Sequence, residues 1–241
     1  MSVKRNRTIL LAIICSTYPL IVACHQVAPS KTDGRAAIPV SNTSDYEKLA
    51  PLMPVVKMNG VSVWVEYHAT CPSDVLELIP LDLAVHSDRK NTKIDALVAV
   101  QGLLSEDKGV SVSELRPGII GIKSDDVWSS ILQSKLVDLK LADIDRYNPD
   151  GAISAGIKAS NASLQVLHAR PVLKFGGLRE EPSKQRPHLN ASAKYETLED
   201  LLSDIAQTFG GILVYKECSR SDGTHIFDIN FYRKDEFPSP L

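Results

Sequence analysis

Hydrophobic spacing marks out the elements of this chain. Val61-Ser62-Val63-Trp64-Val65-Glu66-Tyr67 alternates apolar and polar side chains among β-branched and aromatic residues, which predicts a strand. Pro72 opens a short helix over Val75, Leu76 and Ile79 that Pro80 closes, and Leu81 to Val85 reads as a further short strand. Thr92-Lys93-Ile94-Asp95 and Thr197-Leu198-Glu199-Asp200 both have the form of a capping box, with Asp in the place of the more usual Glu. The threonine oxygen there accepts a hydrogen bond from a free backbone N–H, and the acid reaches back. When the two threonines are aligned, Ala96, Leu97, Val100 and Leu104 fall on Leu201, Leu202, Ile205 and Phe209. The second set, completed by Leu198 and Ala206, has the spacing of a helix with one buried face. Gly109 and Gly210-Gly211 are the expected stops.

Each predicted helix is followed by two strands. The first pair is Val110–Ser113 and Ile119–Ile122 around Pro117-Gly118, and the second is Ile212–Tyr215 and Ile226–Phe231 around Ser221-Asp222-Gly223. A strand precedes each unit, one around Leu83 and one at Leu189 to Ala193. Between the units, Leu136 to Leu141 alternates as a strand. Asn148-Pro149-Asp150 then caps a short helix over Ala152, Ile153, Gly156 and Ile157. Lys174 to Pro187 is a polar loop. The expected fold is α+β, with repeated β-α-β-β units forming small sheets covered by helices. The expected modules are residues 55–130 and 181–233, with an intermediate βα element and loop at 131–180 and a tail at 234–241.

The amino-terminal pattern differs from the rest. Lys4, Arg5 and Arg7 precede an uncharged run from Thr8 to Ala23, too short for a comfortable membrane span and interrupted by Pro19. A basic head followed by a short apolar run predicts an export signal over residues 1–23. Residues 24–54, with Pro29, Pro39, Pro51 and Pro54 among serines and threonines, predict a flexible tether. Ile21-Val22-Ala23-Cys24 resembles the lipobox of bacterial lipoproteins, with Val22 bulkier than the usual Ala or Ser. The resemblance implies lipidation at Cys24, including an acyl group such as palmitate, and anchorage to the membrane through that lipid. More than one acyl chain makes such an anchor stable. His25, in place of Asp, implies the outer membrane with the body facing the periplasm. The alternatives are an ordinary secretory signal with Cys24 incidental, and an uncleaved anchor.

The whole chain has 241 residues, with 27 Lys and Arg against 29 Asp and Glu. Loss of Lys4, Arg5 and Arg7 with the signal leaves 24 basic and 29 acidic groups. That balance argues against a nucleic-acid partner, which calls for a basic excess. Cys15 lies in the signal and Cys24 in the lipobox, leaving Cys71 and Cys218 as an even pair in an oxidising compartment. A disulfide between them is the leading reading, and two separate buried thiols the other. A third reading combines them with His68 and His225 as zinc ligands, but Cys-x6-His is not a standard spacing and no metal or other cofactor is expected.

There is no Gly-x-Ser-x-Gly elbow and no Gly-rich phosphate loop with Lys-Ser/Thr. His86-Ser87-Asp88, His168 and His188 form no local triad, and Asp125-Asp126, Asp143/Asp145 and Glu180-Glu181 read as solvated turns. No catalytic residue is assigned. Trp64 reads either as a partner-facing aromatic or as a core residue. The repeated units, carried by Thr197–Phe231 and more weakly by Thr92–Lys123, resemble the periplasmic N-terminal domain of secretins and of TonB-dependent signal transducers. That domain docks other envelope proteins. The resemblance implies a non-enzymatic envelope lipoprotein that binds envelope proteins as an accessory to a larger assembly. The alternative is an exported hydrolase with no locally recognisable motif.

Overall fold

The structure, a computed structural model, describes residues 45–71, 81, 83, 85, 95–105, 109–124, 129–172 and 186–234. All of these belong to one compact unit, residues 42–241. The expected signal, Cys24, the first part of the tether, the helix over 75–79, and Trp128 lie outside the described residues.

Six strands form one mixed sheet: β1 (Ser62–Thr70), β2 (Val110–Arg116), β3 (Ile119–Ser124), β4 (Ala169–Pro171), β5 (Gly211–Ser219) and β6 (His225–Arg233), in the order β2-β3-β1-β5-β6-β4. The described helices are α1 (Asp45–Leu49), α2 (Met53–Asn59), α3 (Ala96–Leu103), α4 (Asp143–Arg146), α5 (Pro149–Ala159), α6 (Asn161–Val166) and α7 (Leu198–Phe209), with a 3-10 turn at Ala50–Leu52 between α1 and α2. The α+β class is therefore the observed one.

β1 is the organising strand. It runs parallel to β3 on one side and to β5 on the other, so Val63 lies between Ile120 and Ile212, and Val65 between Ile122 and Val214. These six side chains face α2 and α3. Trp64, Ile119, Leu213 and Tyr215 point the other way, into a core with α5 and α7. Successive side chains on a strand alternate in this way, so a strand buried on both faces needs a helical layer on each. The connection from β1 to β3 passes through α3 on one face. The connection from β3 to β5 passes through α7 on the opposite face and in the opposite direction across the sheet. Both crossovers thus have the same hand, as the strong preference for right-handed connections demands.

Helix α7 forms for the reasons its sequence gives. Thr197 accepts from the Asp200 N–H at 3.2 Å while the Asp200 carboxylate accepts from the Thr197 N–H, a complete capping box. Leu198, Leu201, Leu202, Ile205 and Ala206 are wholly buried. The Ser62 hydroxyl donates to the Ala206 carbonyl at 2.6 Å, which fixes the helix over β1. Asn148 caps α5 as expected, accepting from the Asp150 N–H with Pro149 in the first turn. Gly118 sits in the β2–β3 turn at φ 80°, a backbone region closed to most side chains. Gly121 leaves room for Leu115, whose Cγ lies 2.4 Å from where a Cβ would stand.

Several expectations are corrected. The two units do not form separate small sheets. They share one sheet with β1 between them, because a single buried strand supplies a parallel neighbour to both hairpins. No strand forms at Leu189–Ala193, where Asn190 instead makes a turn by accepting from the Ser192 N–H and hydroxyl. Leu136–Leu141 is not a strand either: Asp138 has φ 52°, which breaks the extended backbone, and Leu136, Leu139 and Leu141 reach the core from a loop. Residues 45–54, assigned to the tether, are helical and bury Leu49, Leu52 and Met53 beneath the α3 side of the sheet. Pro51 and Pro54 fall in first turns, where the missing N–H does no harm. In α3 the cap is Asp95, which accepts from the Leu97 and Val98 N–H groups, in place of Thr92, which lies outside the described residues.

The buried face of α7 sets a stability test. Leu202→Ala and Ile205→Ala each lower the unfolding free energy by about 2–5 kcal/mol. Val98→Ala, at a half-exposed position of α3, changes it by less than about 0.5 kcal/mol. Urea denaturation followed by circular dichroism measures all three.

Candidate functional site at the carboxyl ends of the parallel strands

β1, β3 and β5 run the same way, and on the α7 side their carboxyl-terminal halves carry polar side chains in place of the apolar ones further back. Open α/β sheets place ligand sites at such ends, where successive crossovers leave for opposite faces. Here Glu66 and His68 come from β1, Lys123 from β3, and Tyr215 and Glu217 from β5. His225 opens β6 beside them, and Ser129 lies in the segment that follows β3.

These groups form one connected chain. Lys123 Nζ meets Glu66 Oε2 at 2.9 Å, and Glu66 Oε1 meets His68 Nε2 at 3.1 Å. His68 Nδ1 lies 3.7 Å from Glu217 Oε2, an ion-pair distance and too long for a hydrogen bond. His225 Nδ1 contacts Glu217 Oε1 at 2.7 Å. On the same carboxylate, Oε2 accepts from Ser129 Oγ at 2.7 Å and from the Tyr215 hydroxyl at 2.6 Å, and the two hydroxyls are themselves 2.7 Å apart. Two hydroxyl protons therefore serve three short contacts. Glu66 and Glu217 are both buried. A buried carboxylate needs such partners to stay ionised.

Burial by itself would raise the Glu66 pKa. The hydrogen bonds from His68 and Lys123, and their positive charges, outweigh it and hold the carboxyl below its ordinary 4.5. Tyr215 is pushed well above 10, first by burial and then by the Glu217 charge, so its hydroxyl stays a proton donor. On the opposite face Lys216 is buried with Asp45 and Asp228 as ion-pair partners. Neighbouring charges on β5 are thus neutralised separately in each layer.

The cysteines meet at the same end. Cys71, just after β1, is disulfide-bonded to Cys218 of β5, with Cα atoms 5.0 Å apart. Pairing of Ala69 with Cys218 across the two strands brings the side chains together, and the Cys71 N–H bonds the Ser219 carbonyl at 3.3 Å. The bridge removes both thiols from the zinc reading. His68 is a mostly buried strand residue rather than a loop residue, and it and His225 engage carboxylates. Among the described residues no group of three or more His, Cys, Asp or Glu is placed to hold a metal ion. Trp64 is a core residue, 3% exposed. His188 stacks on Tyr147 away from the cluster, His168 follows α6 at φ 50° and accepts the His225 N–H at its backbone carbonyl at 3.1 Å, and His86 and Asp88 lie outside the described residues.

Sequence reasoning singled out His68 and His225 but missed Glu66, Lys123, Ser129, Tyr215 and Glu217. The available signal was a charge inside an apolar strand: Glu66 after Val63-Trp64-Val65, and Lys216-Glu217 after Leu213-Val214-Tyr215. Beside the cluster, between Glu66, Lys123, Ser129, Leu132, Gln133 and Glu199, the cavity measures about 10 Å³, room for about one water. No family model matches this chain, and comparison with curated proteins and with solved structures gives no match.

Two tests follow from this geometry. Cys71 and Cys218 resist alkylation in the denatured, unreduced protein and both label after reduction. The bridge spans 147 positions, and the chain-entropy model puts the loss on reduction at no more than about 5 kcal/mol. Glu66 has a depressed folded pKa, so its contribution is fully present above the unfolded value of 4.5 and is lost as pH falls through the folded value. Glu66→Gln accordingly costs about 1–3 kcal/mol at neutral pH. The gap to the parent protein narrows with acidification below pH 4.5, as read from urea midpoints across a pH series.

Proposed function

We propose that this chain is a non-enzymatic, lipid-anchored cell-envelope protein whose α+β body binds another envelope protein as an accessory to a larger assembly. The observation that carries the proposal is the Cys71–Cys218 disulfide. A bridge of this kind persists in an oxidising compartment, and that agrees with the signal-like residues 1–23 and the lipobox-like end at Cys24. The outer membrane, with the body facing the periplasm, is the location this reading carries. Binding is supported by β2, an edge strand with Ser111, Ser113, Glu114 and Arg116 exposed. Such an edge offers unpaired backbone groups to an added strand. Beside it, α3 is apolar nearly all round and leaves Val98 exposed.

The exported-hydrolase alternative has one observation in its favour, the convergence of His68 and His225 on Glu217. A serine relay, however, needs the nucleophile on Nε2 while the acid holds Nδ1. Ser219 Oγ lies 3.3 Å from the same Nδ1 that contacts Glu217. The hydroxyl and the acid thus meet one nitrogen, and the binding reading is preferred.

Membrane fractionation tests the anchor: the full chain pellets with membranes, and Cys24→Ser moves it to the soluble extract. An unchanged pellet removes the lipid anchor from the proposal. Glu114→Pro in β2 tests docking, because the Glu114 N–H, between the Ser113–Gly121 pair and the turn, points away from β3 and proline removes that backbone donor from the edge. The variant keeps the parent's melting behaviour within a few degrees and loses the partner that co-purifies with the parent protein from envelope extract.

A further inference from the structure

On the α4 side of the molecule lies a cavity of about 270 Å³, open to solvent and remote in sequence from the β1–β5 cluster. It has room for about nine waters at about 30 Å³ each, and so for a small organic molecule. The loop before α4 supplies Leu139, Lys140 and Leu141, α4 supplies Asp143 and Arg146, and the segment before α7 supplies Asn190 and Ala193.

Asp143 is the acid in this lining, and the other two charged side chains, Lys140 and Arg146, are donors. Arg146 is 17% exposed; its Nε donates to the Leu189 carbonyl at 2.9 Å, and Nη1 reaches Asp143 at 3.4 Å. Neither contact uses Nη2. Asp143 is itself 88% exposed, so solvent screens its charge and it neutralises the guanidinium weakly. The Asn190 carbonyl oxygen is taken by Ser192, which leaves the amide N–H groups to point elsewhere. Tyr195 lines the cavity with its hydroxyl committed to Asp204. Leu139, Leu141 and Ala193 provide apolar wall between these donors. An anchored guanidinium, a nearby ammonium and an aliphatic wall are complementary to an anion with a hydrocarbon body, and the planar fork of arginine matches a carboxylate.

We propose that this cavity binds a small aliphatic carboxylate, the acid on Arg146 Nη2 and Lys140 and the hydrocarbon against Leu139, Leu141 and Ala193. A free branched-chain acid and the carboxyl terminus of a peptide share that chemistry. The proposal stands whether or not the chain is lipid-anchored or docks through β2.

The test is a methyl NMR titration of the full chain with 4-methylpentanoate, N-acetyl-leucine and the amide of each. The carboxylates give saturable shifts at the cavity leucine and alanine methyls with millimolar affinity, and the amides bind at least about tenfold more weakly. Tighter binding of 4-methylpentanoate indicates a free acid, and tighter binding of N-acetyl-leucine a peptide terminus. Ala193→Phe fills the cavity and abolishes the shifts, while Lys140→Gln, at an exposed position, weakens carboxylate binding several-fold without altering the fold. Arg146→Gln lowers affinity at least about tenfold if it folds, and the other two variants decide the matter if it does not. The proposal is overturned by the absence of saturable shifts up to about 50 mM, by equal binding of acid and amide, or by shifts that survive Ala193→Phe.

Discussion

Pairing of β1 with a parallel strand on each side is the constraint from which the rest follows. A strand so placed has no free edge and no free face. Val63 and Val65 must be covered by one layer, and Trp64 by another. The helices before β2 and before β5 therefore go to opposite faces, and residues 45–59 are recruited to complete the cover above Val63 and Val65. Burial of the apolar strand drives this arrangement, and the parallel pairing fixes where its polar residues end up.

Those polar residues are costly to bury. Glu66 continues the same strand that holds Trp64, so its carboxylate enters the sheet's interior wherever β1 goes. Lys123 stands beside it by register with β3, and His68 lies two residues on along the same face. Glu217 is brought alongside by β5 and shares its charge among Ser129, Tyr215 and two histidines. The disulfide ties the ends of β1 and β5 together just past this cluster. The bridge and the ion-pair chain thus secure the same pair of strands where the sheet opens toward its loops. A network that uses its own hydrogen-bonding capacity in this way orders the strand ends, and the roomier donor-lined cavity lies elsewhere, beside α4.

Helix α7 was legible because everything that specifies it is local. A capping pair three residues apart, a 3.6-residue apolar stripe and a terminal glycine act within a dozen positions. The Asn148-Pro149 start of α5 and the two hairpins were legible for the same reason. The Leu136–Leu141 alternation misled because alternation states only which side chains want burial. A strand also needs a neighbour with free backbone groups, and this segment reaches the core from a loop kinked at Asp138. Residues 45–54 misled in the opposite sense: their prolines read as tether, yet each falls where a helix tolerates one.

The sequence by itself determined the α+β class, the helices α3, α5 and α7, the two hairpins, and Cys71 and Cys218 as candidates to pair. Each rests on contacts between residues near one another in the chain, or on residue chemistry alone. The tertiary structure decided that both hairpins share a single sheet, that Lys123, Glu66, His68, Glu217 and His225 form one connected cluster, and that Arg146 meets Asn190 and Ala193 around a cavity. Those outcomes depend on register between strands and loops far apart in sequence, and a shift of one residue would turn each side chain to the other face.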